Sequence, residues 1–517
     1  MTGVTSSGGF PWVTVIGAIP LVGLALMLLL PRGRDEDCKR LALGSSLAAL
    51  VGTVFMCADF HSGGARFQFV QSHDWIKAFG AHYAVGVDGI ALALILMTTV
   101  LTPIIVLASW HDADEGHRSV RTFFALLLAT ETIVIGVFGS LDVFLFYVLF
   151  EAMLIPIYFL IGSYGGPRRS YAAVKFLLYS LAGGLLMLVA VIGLFVVSSH
   201  QLGRGTFDYR ALTTLHLSHG EQIALFLGFF IAFAIKAPLW PFHTWLPDAA
   251  AEAPTGVAVM LVGVLDKVGT FGFLRFCIPL FPYAAKTLAP YILGLCVTGI
   301  LYGALLAIGQ RDMKRLVAYS SVSHFGFIAL GVFAFTSQGG SGATLYMVNH
   351  AFSTGALFLL VGFLASRRGS RYIDDFGGAA KVAPWLGAAF LVAGLSALSL
   401  PGLSTFVSEF LVLVGTFTVH RWFAVVATFG IVLAAVYVLW MVQRTIHGPL
   451  REGLENMRDL NFREAWVIAP VMVVIVALGI YPKPLLDVIN PAVHGSFSTV
   501  RPHDPAPPVP VTLGGAK

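Results

Sequence analysis

The sequence predicts an all-α polytopic membrane protein with about 14 transmembrane helices. The chain has 517 residues, of which 57% are hydrophobic and 11% are charged, and its mean hydropathy is +0.83. A soluble domain could not cover that much apolar surface, and the apolar residues run through the whole chain rather than forming one or two anchors. The apolar runs are long enough to cross about 30 Å of hydrocarbon, and polar loops separate them.

The first apolar run lacks a basic leader and a small-residue cleavage site, so we expect a retained span rather than a signal peptide. Every later run is again long enough to be a span. The expected spans lie near residues 11–30, 41–58, 86–110, 119–139, 141–163, 170–198, 221–247, 254–276, 287–309, 315–336, 341–366, 385–418, 422–446 and 465–482.

Basic residues are distributed unevenly between alternate loops. One set of loops is rich in arginine and lysine, for example Arg32, Arg118 and Arg168, whereas the other set carries few, such as Arg204 and Arg275. The positive-inside rule places the first set in the cytoplasm, so both termini are expected on the outer, periplasmic side. The alanine- and glycine-rich composition favours a bacterial inner membrane. Because the basic residues are explained by orientation, the net charge of +5 does not indicate nucleic acid.

The four cysteines give no sign of a cofactor. They are far apart, and none forms a CxxC pair or a cluster with histidine. We therefore expect no metal, haem or iron–sulfur site and no redox-active residue in this chain. The cysteines are Cys38, Cys57, Cys277 and Cys296.

A few ionisable side chains lie inside the predicted spans. Lys175 is about five residues from a helix end and can reach the interface, so we interpret it as structural. The remaining ones are too deep for that, and each costs at least ~2.5 kcal/mol to insert. They are Glu131, Glu151, Lys236, Asp266, Lys267, His324, His350 and Glu409.

Six of these groups share one depth. Glu151 lies roughly ten residues from either end of its span, which places it about 15 Å deep, at the midplane. Equivalent central positions occur in five other spans, so the residues are expected to form a polar row in the membrane plane. The alternative is a set of charges that only holds helices together. The row consists of Glu151, Lys236, Lys267, His324, His350 and Glu409.

Two spans are predicted to be broken. Pro238 and Pro241 follow Lys236, and Pro401-Gly402 precedes Glu409. Proline removes a backbone donor, and broken helices at membrane depth often mark an ion path. Ordinary proline kinks are the alternative interpretation.

The breaks fall in the seventh and twelfth spans, which suggests two inverted five-helix repeats within a single membrane domain, residues 1–517. The predicted parts are N-terminal helices 1–3 (1–118), the first repeat with helices 4–8 (119–276), the second repeat with helices 9–13 (284–447), helix 14 (464–482) and a proline-rich, disordered tail (483–517).

Glutamate, lysine and histidine share the ability to exchange protons. Moving one proton against about 150 mV costs about 3.5 kcal/mol, which corresponds to a change in pKa of about 2.5. Burial and charge pairing can change a pKa by up to about 3–5. A Glu151–Lys236 pair that forms and breaks is therefore sufficient to drive one proton, provided that a partner protein supplies the energy.

Three segments resemble the antiporter-like membrane subunits of proton-pumping NADH:quinone oxidoreductase, respiratory complex I. "LFEAMLIPIYFLIG" is similar to the fifth-helix glutamate motif of that family, and "QRDMKRLVAYSSVSHFGFIALG" to its ninth-to-tenth helix segment. The most specific match is "IKAPLWPFHTWLPDAAAEAPTGVAVMLVGVLDKVGTFG", which resembles the seventh and eighth helices.

The twelfth helix, "LPGLSTFVSEFLVL", indicates the M-type branch, the homologue of mitochondrial chain 4. This branch carries glutamate where the N-type, L-type and D-type chains usually carry lysine, and the short tail differs from the long lateral helix of the L-type. The resemblance implies a proton channel through Glu151, Lys236, Lys267, His324, His350 and Glu409, and it matches Glu131 to a fourth-helix glutamate.

The same resemblance implies the setting. NADH, FMN, iron–sulfur clusters and quinone would be bound by partner subunits, and the partners would include L- and N-type antiporter-like subunits, the peripheral arm and membrane lipids. The chain would be a non-redox subunit of a translocase in the electron transport chain. The alternatives are a subunit of a multisubunit cation/proton antiporter, a subunit of a membrane-bound hydrogenase, or a structural membrane spacer.

Overall fold

The chain folds almost entirely into membrane-length helices. The computed structural model describes residues 9–114, 119–501 and 503–504, and in this part of the chain 13 helices are long and apolar enough to cross a membrane. The predicted fold class is thereby confirmed. The 13 helices are Trp12–Leu29, Asp35–Asp59, Gly89–Ala108, Val120–Gly139, Val143–Tyr164, Arg169–Leu202, His219–Lys236, Thr255–Leu280, Pro282–Ile308, Met313–Phe333, Ser337–Arg368, Arg421–Ile446 and Phe462–Ile480.

Two shorter apolar helices, Pro384–Ala397 and Ser404–Phe417, occupy the place of the predicted twelfth span. We count this pair as span 12, so the spans are numbered 1 to 14 in chain order. Spans 8, 10 and 11 are buried along nearly their whole length, whereas spans 1, 2 and 14 expose most of their residues. The core of the molecule therefore lies around spans 8, 10 and 11, and the outer spans surround it.

Side-chain caps begin several spans at polar residues. The first amide groups of a helix have no partner within it, and an oxygen at the N-cap satisfies one or two of them. Asp142 accepts from the amides of Phe144 and Leu145 at the start of span 5, and Asp312 accepts from Lys314 and Arg315 at the start of span 10. These caps fix the helix starts, and with them the depth of the residues that follow.

Both predicted breaks are present. Span 7 ends as a helix at Lys236 and resumes at Trp245–Glu252, and span 12 is interrupted between Ala397 and Ser404. The freed carbonyl groups must find partners inside the protein because lipid offers none. The indole Nε1 of Trp245 donates to the carbonyl of Ile235 at 2.8 Å, and Thr405 Oγ1 donates to the carbonyl of Ser396.

Two further irregularities were not predicted. Span 5 is interrupted at Met153, and Pro156 explains this because its ring displaces the carbonyl of Ala152. Span 8 contains two π-helical turns, Leu261–Leu265 and Phe273–Cys277. The first of these turns contains no proline and lies in a uniformly apolar run, so the sequence carries no signal for it.

A β-hairpin lies between spans 2 and 3, where only a loop was expected. Strands β1 (Gln68–Ile76) and β2 (Ala81–Val87) pair antiparallel. The amide of His82 in β2 donates to Asp142 at 2.9 Å, which joins the hairpin to the start of span 5. The hairpin therefore closes over the end of the bundle where span 3 begins and span 4 ends.

The prediction that Arg275 lies in a loop between spans is wrong. It lies inside span 8 and is 2% exposed. Its Nη2 is 2.8 Å from Asp88 Oδ1, and the rings of Phe67 and Phe271 lie 4.8 and 5.0 Å from its guanidinium carbon. The apolar run continues to Leu280, so the basic residue is buried with a carboxylate instead of reaching water.

The prediction of a disordered tail is wrong for residues 483–497, which form the helix Lys483–Phe497. Ile489, Val493 and Phe497 are buried on one face at intervals of four residues, which is the spacing of an amphipathic helix. The later part of the predicted tail, residue 502 and residues 505–517, lies outside the described residues. The inverted relation of the two five-helix repeats stays a prediction.

Close packing of spans 9 and 10 depends on Gly303. A Cβ added there would lie 2.8 Å from the amide nitrogen of Ser323 and 3.1 Å from the carbonyl oxygen of Tyr319. We expect Gly303→Ala to lower the stability of the chain by about 1–3 kcal/mol, because the two backbones must separate. The measurement is the thermal unfolding midpoint of the complex that contains the variant.

Gly294 supplies the matched control in the same helix. A Cβ there meets no atom within 4 Å, so Gly294→Ala should leave the midpoint unchanged or slightly higher, as glycine-to-alanine changes in open helix positions do. Equal effects of the two substitutions would contradict the packing argument.

Candidate functional site

Glu151 stands at one end of the row, in the last turn before span 5 is interrupted. Its side chain is half-buried, and Oε1 has no hydrogen-bond partner within the described part of the chain. The carboxylate packs on span 6 at Gly184, where any Cβ would overlap it. The glycine therefore makes room for the acid in the middle of the membrane.

Lys236 is the next member of the row. It is the last residue of the span 7 helix and is 1% exposed. Its amine lies between two aromatic rings, 5.3 Å from the centroid of Phe150 and 5.4 Å from that of Phe176. These rings and the negative end of the helix dipole both favour a cation there.

No hydrogen bond joins Glu151 and Lys236. Lys236 Nζ has no hydrogen-bond partner among the described residues. Phe150, which precedes Glu151, lies against the amine. The two groups are therefore neighbours whose contact is free to change.

Lys267 is held more firmly than Lys236. Its Nζ is 2.5 Å from the carbonyl oxygen of Val262 and 2.7 Å from His350 Nδ1. The carbonyl belongs to the π-helical turn Leu261–Leu265, which leaves it free to accept from a side chain. The irregular backbone of span 8 thus fixes the lysine, and the lysine in turn points at a histidine of span 11.

Two histidines and a tyrosine continue the row across spans 10 and 11. The rings of His350 and His324 have centroids 5.3 Å apart at an interplanar angle of 86°, and His324 and Tyr346 have centroids 5.8 Å apart. His350 Nε2 and His324 Nδ1 have no hydrogen-bond partner among the described residues. Each ring nitrogen can therefore take up or release a proton without breaking a protein hydrogen bond.

Glu409 ends the row in the second half of span 12. It is 5% exposed, and its Oε2 accepts from the Tyr346 hydroxyl at 3.4 Å and from Ser399 Oγ. Ser399 lies in the helix break, at a positive φ of 61°. The break at Pro401 and Gly402 therefore places a hydroxyl donor directly on the buried carboxylate.

The structure joins four of the seven predicted residues, Lys267, His350, His324 and Glu409, through contacts that include Tyr346. Glu151 and Lys236 lie on either side of Phe150, without a hydrogen bond to the other four, and Glu131 lies outside the row. Glu131 is fully buried in span 4 beside Thr102 of span 3, and neither carboxylate oxygen has a hydrogen-bond partner among the described residues. Lys175, interpreted as structural, pairs with Asp248 at 2.8 Å.

Three neutral residues of the site were missed: Tyr346, Ser399 and Asn349. Asn349 Nδ2 donates to the carbonyl of Ser404 at 2.6 Å and to Ser408 Oγ at 3.1 Å, which anchors the second half of span 12. Uncharged polar residues are common in membrane helices and therefore give little signal in a sequence. The one available signal for Tyr346 and Asn349 was their position close to His350 in span 11.

A polar cavity of about 420 Å³ opens at the end of spans 8, 10 and 11 where the basic loops lie. Burial raises the pKa of Asp112, which lies in the loop after span 3, and the nearby Lys314 charge opposes this. Lys314 Nζ donates to the carbonyl of Ala253 at 3.1 Å. The charged lining residues are Asp112, Glu252, Lys314, Arg371, Arg463 and Glu464.

The arrangement suits proton exchange, because the members of the row are acids and bases. Within residues 9–114, 119–501 and 503–504, no group of three or more His, Cys, Asp or Glu side chains could hold a metal ion. The row is a set of acids and bases on six spans, with a direct Lys267–His350 hydrogen bond near its centre.

Comparison with known proteins identifies the family of the chain. Residues 140–434 match the family described as NADH:quinone oxidoreductase/Mrp antiporter, transmembrane. NADH-quinone oxidoreductase subunit M of Mycobacterium tuberculosis is 50% identical over 545 aligned positions, covering 98% of both chains. NADH-ubiquinone oxidoreductase chain 4 of Chondrus crispus is 38% identical and covers 91% of this chain and 94% of its own.

Among solved structures, a chain of respiratory complex I from Thermus thermophilus with bound NADH is 32% identical. It superposes with a TM-score of 0.86 and covers 95% of this chain and 100% of that chain. The family match spans more than half of the sequence, and these relatives cover nearly all of it. The chain therefore belongs to the NADH:quinone oxidoreductase/Mrp antiporter transmembrane family, as an M-type antiporter-like membrane subunit of complex I.

Proposed function

We propose that this chain translocates protons through its row of buried acids and bases, driven by redox chemistry in partner subunits. The observation that carries the proposal is the unbroken set of neighbours from Lys267 through the two histidines and Tyr346 to Glu409. Six separate insertions of ionisable groups into the membrane would be costly without a function. Their arrangement on six spans gives protons a route in the membrane plane.

The adjustable step is the Glu151–Lys236 contact. When the acid approaches the amine, it stabilises the ammonium form of Lys236. When it withdraws, the ammonium is left between two rings without an acceptor, and release of its proton is favoured. The released proton then moves toward Lys267 and the histidines, and Glu409 terminates the row.

The distribution of basic residues indicates the orientation of the chain and the side from which protons enter. The polar cavity lined by Asp112, Lys314 and Arg371 lies at the end that carries the basic loops, which the positive-inside rule assigns to the cytoplasm. We therefore propose that protons enter from this side and that both termini lie on the periplasmic side of a bacterial inner membrane. Glu131 is a further buried acid of the proposed path, with no hydrogen bond that joins it to the row.

Partner subunits complete the site in this proposal. Glu151 is half-buried in the isolated chain, and a carboxylate exposed to lipid tails at mid-membrane depth is energetically costly. We propose that a neighbouring membrane-arm subunit, of the N- or L-type, covers it. NADH, FMN, iron–sulfur clusters and quinone belong to other subunits of the complex.

The three alternative functions are those of a cation/proton antiporter subunit, a membrane-bound hydrogenase subunit and a structural spacer. In a cation/proton antiporter or a membrane-bound hydrogenase the same fold would work with other partners, and co-purification with flavin and NADH-reducible clusters separates these cases from complex I. A structural spacer would need buried charges that are mutually paired, whereas Lys236 and Glu151 Oε1 have no hydrogen-bond partner among the described residues.

Glu151→Gln tests the adjustable step. The amide keeps the size of the side chain and removes its charge, so Lys236 loses the group that controls its protonation. We expect NADH:quinone turnover and proton uptake into membrane vesicles to fall together by about tenfold or more, the range of a lost proton-transfer group. Both rates are measured on the native complex after its assembly has been verified.

Glu455→Gln is the matched control, because Glu455 is exposed in the loop before span 14. It should leave both rates unchanged. Full turnover and full proton uptake in Glu151→Gln would show that Glu151 is only a buried structural acid, and the proposed function would then be rejected.

Tyr346→Phe tests the far end of the row. The substitution removes the hydroxyl that donates to Glu409 and leaves in place the ring that lies beside His324. We expect proton uptake to fall several-fold while the complex assembles normally, since a transfer step loses its hydrogen-bonded path. Tyr158→Phe in span 5 is the control. If the two variants pumped equally well, the route through Tyr346 would be wrong.

A further inference from the structure

A groove runs along the lipid-facing surface of the molecule between spans 1 and 2. Both spans expose most of their residues, and the groove has a volume of about 790 Å³. Its lining belongs to span 1, span 2 and the short loop that joins them. Apart from three charged residues and one serine, the lining consists of apolar residues and glycine: Val15, Ala18, Ile19, Val22, Gly23, Leu26, Leu30, Arg34, Asp37, Arg40, Leu41, Gly44, Ser45 and Ala48.

Small residues make the groove concave. The two spans touch where a Cβ on Gly23 would overlap the side chain of Ser45. Beside this contact, Gly44 and Ala48 of span 2 are exposed, and a Cβ added to Gly44 would meet no atom within 4 Å. Larger side chains of span 1 form the facing wall, for example Val22, which is 58% exposed. The space next to Gly44 is therefore open to the membrane.

The part of the groove that has walls on both sides is about as long as one leaflet is thick. On span 2 the lining extends from Arg40 to Ala48, which is about 12 Å along the helix axis at about 1.5 Å per residue. One leaflet contributes about half of the ~30 Å hydrocarbon thickness. The groove therefore matches the hydrocarbon of a single leaflet.

Two exposed arginines stand at one end of the groove. The side chains of Arg34 and Arg40 are 58% and 72% exposed, and both lie on the carboxylate of Asp37, at 2.5 and 3.9 Å. Lys39 in the same turn differs, because it is buried and pairs with two carboxylates of its own. The charged lining residues at this end therefore carry one positive charge in excess.

The loop at this end is fixed by span 4. Arg121 Nη2 donates to the carbonyl oxygens of Leu30 and Pro31 at 2.7 and 2.8 Å, and Leu30 lines the groove. A further guanidinium group thus lies beside the charged end. This end carries basic loops, which the positive-inside rule assigns to the cytoplasm, where anionic lipids make the membrane surface negative.

We propose that the groove binds one anionic phospholipid of the cytoplasmic leaflet. Its phosphate contacts Arg34 and Arg40, since guanidinium groups donate paired hydrogen bonds to phosphate oxygens. One acyl chain lies along Gly44 and Ala48. A transmembrane helix of a neighbouring subunit would need a groove across the full ~30 Å, whereas the part with two walls ends after one leaflet. The inference does not depend on the proposed proton path.

Photo-crosslinking of the assembled complex in lipid nanodiscs tests this proposal. The probe is phosphatidylglycerol with a photoactivatable group on one acyl chain, and phosphatidylcholine with the same group is the comparison. Mass spectrometry of the peptides then locates the label. We expect phosphatidylglycerol to label the peptides of spans 1 and 2 about fivefold or more strongly than phosphatidylcholine, the preference that one basic residue near a membrane surface confers.

Substitution of the two arginines tests recognition of the headgroup. Arg34→Gln combined with Arg40→Gln should lower the labelling of the groove by phosphatidylglycerol to the level of phosphatidylcholine. Arg451→Gln combined with Arg458→Gln is the matched control, because both arginines are exposed in the loop before span 14. This control should leave the labelling of the groove unchanged.

Gly44→Leu tests the acyl-chain part of the groove independently. The new side chain occupies open space without a clash, so labelling of the groove by both lipids should fall several-fold. Gly294→Leu in span 9, where a Cβ also meets no atom within 4 Å, is the control and should leave that labelling unchanged.

Equal labelling by the two lipids, or labelling that the arginine substitutions do not change, would overturn the proposal, because the groove would then be ordinary lipid-facing surface. A groove that takes no label, because another subunit covers it, would overturn it as well. If the double arginine variant does not assemble, the comparison of the two lipids on the unmodified complex and the Gly44→Leu variant decide the question.

Discussion

The structure depends on one constraint, which is that an ionised or polar group within the membrane must find its partners inside the protein. The irregular backbone of the core spans meets this requirement. The π-helical turn of span 8 provides the Val262 carbonyl for Lys267, and the break in span 12 provides Ser399 for Glu409. The buried charges and the irregular helices are therefore coupled. The irregular segments supply hydrogen-bond partners to the charges, and the charges satisfy polar groups that a regular helix would have paired.

Glycine positions determine how closely the row can be enclosed. Gly184 accommodates the Glu151 carboxylate, and Gly269 lets spans 7 and 8 touch beside Lys236. A side chain at either position would displace a charged group or separate the two helices. The deeply buried spans 8, 10 and 11 hold the centre of the row, so the helices that surround them keep lipid away from the acids and bases.

Much of the site could be predicted because charged residues stand out in apolar runs, and a charge at mid-span has few structural explanations. Proline likewise revealed the two breaks. Tyr346 and Ser399 could not be found this way, since neutral polar residues are common in such spans. Arg275 was misplaced because the sequence does not show that Asp88 receives it. The hairpin was missed because its segment was interpreted only as a loop. The helix Lys483–Phe497 was missed, despite its amphipathic spacing, because its prolines were taken with the proline-rich tail as a sign of disorder.

The two halves of the row differ in how firmly they are held, and this difference indicates where control enters. Lys267 is fixed by two acceptors and Glu409 by two donors, so their distances change little unless helices move. Lys236 has aromatic rings but no hydrogen-bond partner among the described residues, and Glu151 lies next to the interruption of span 5 at Met153. A small displacement there changes the Coulomb energy of the pair most steeply. The proposed coupling to partner subunits therefore acts at Glu151, and the fixed half of the row responds to the charge that arrives.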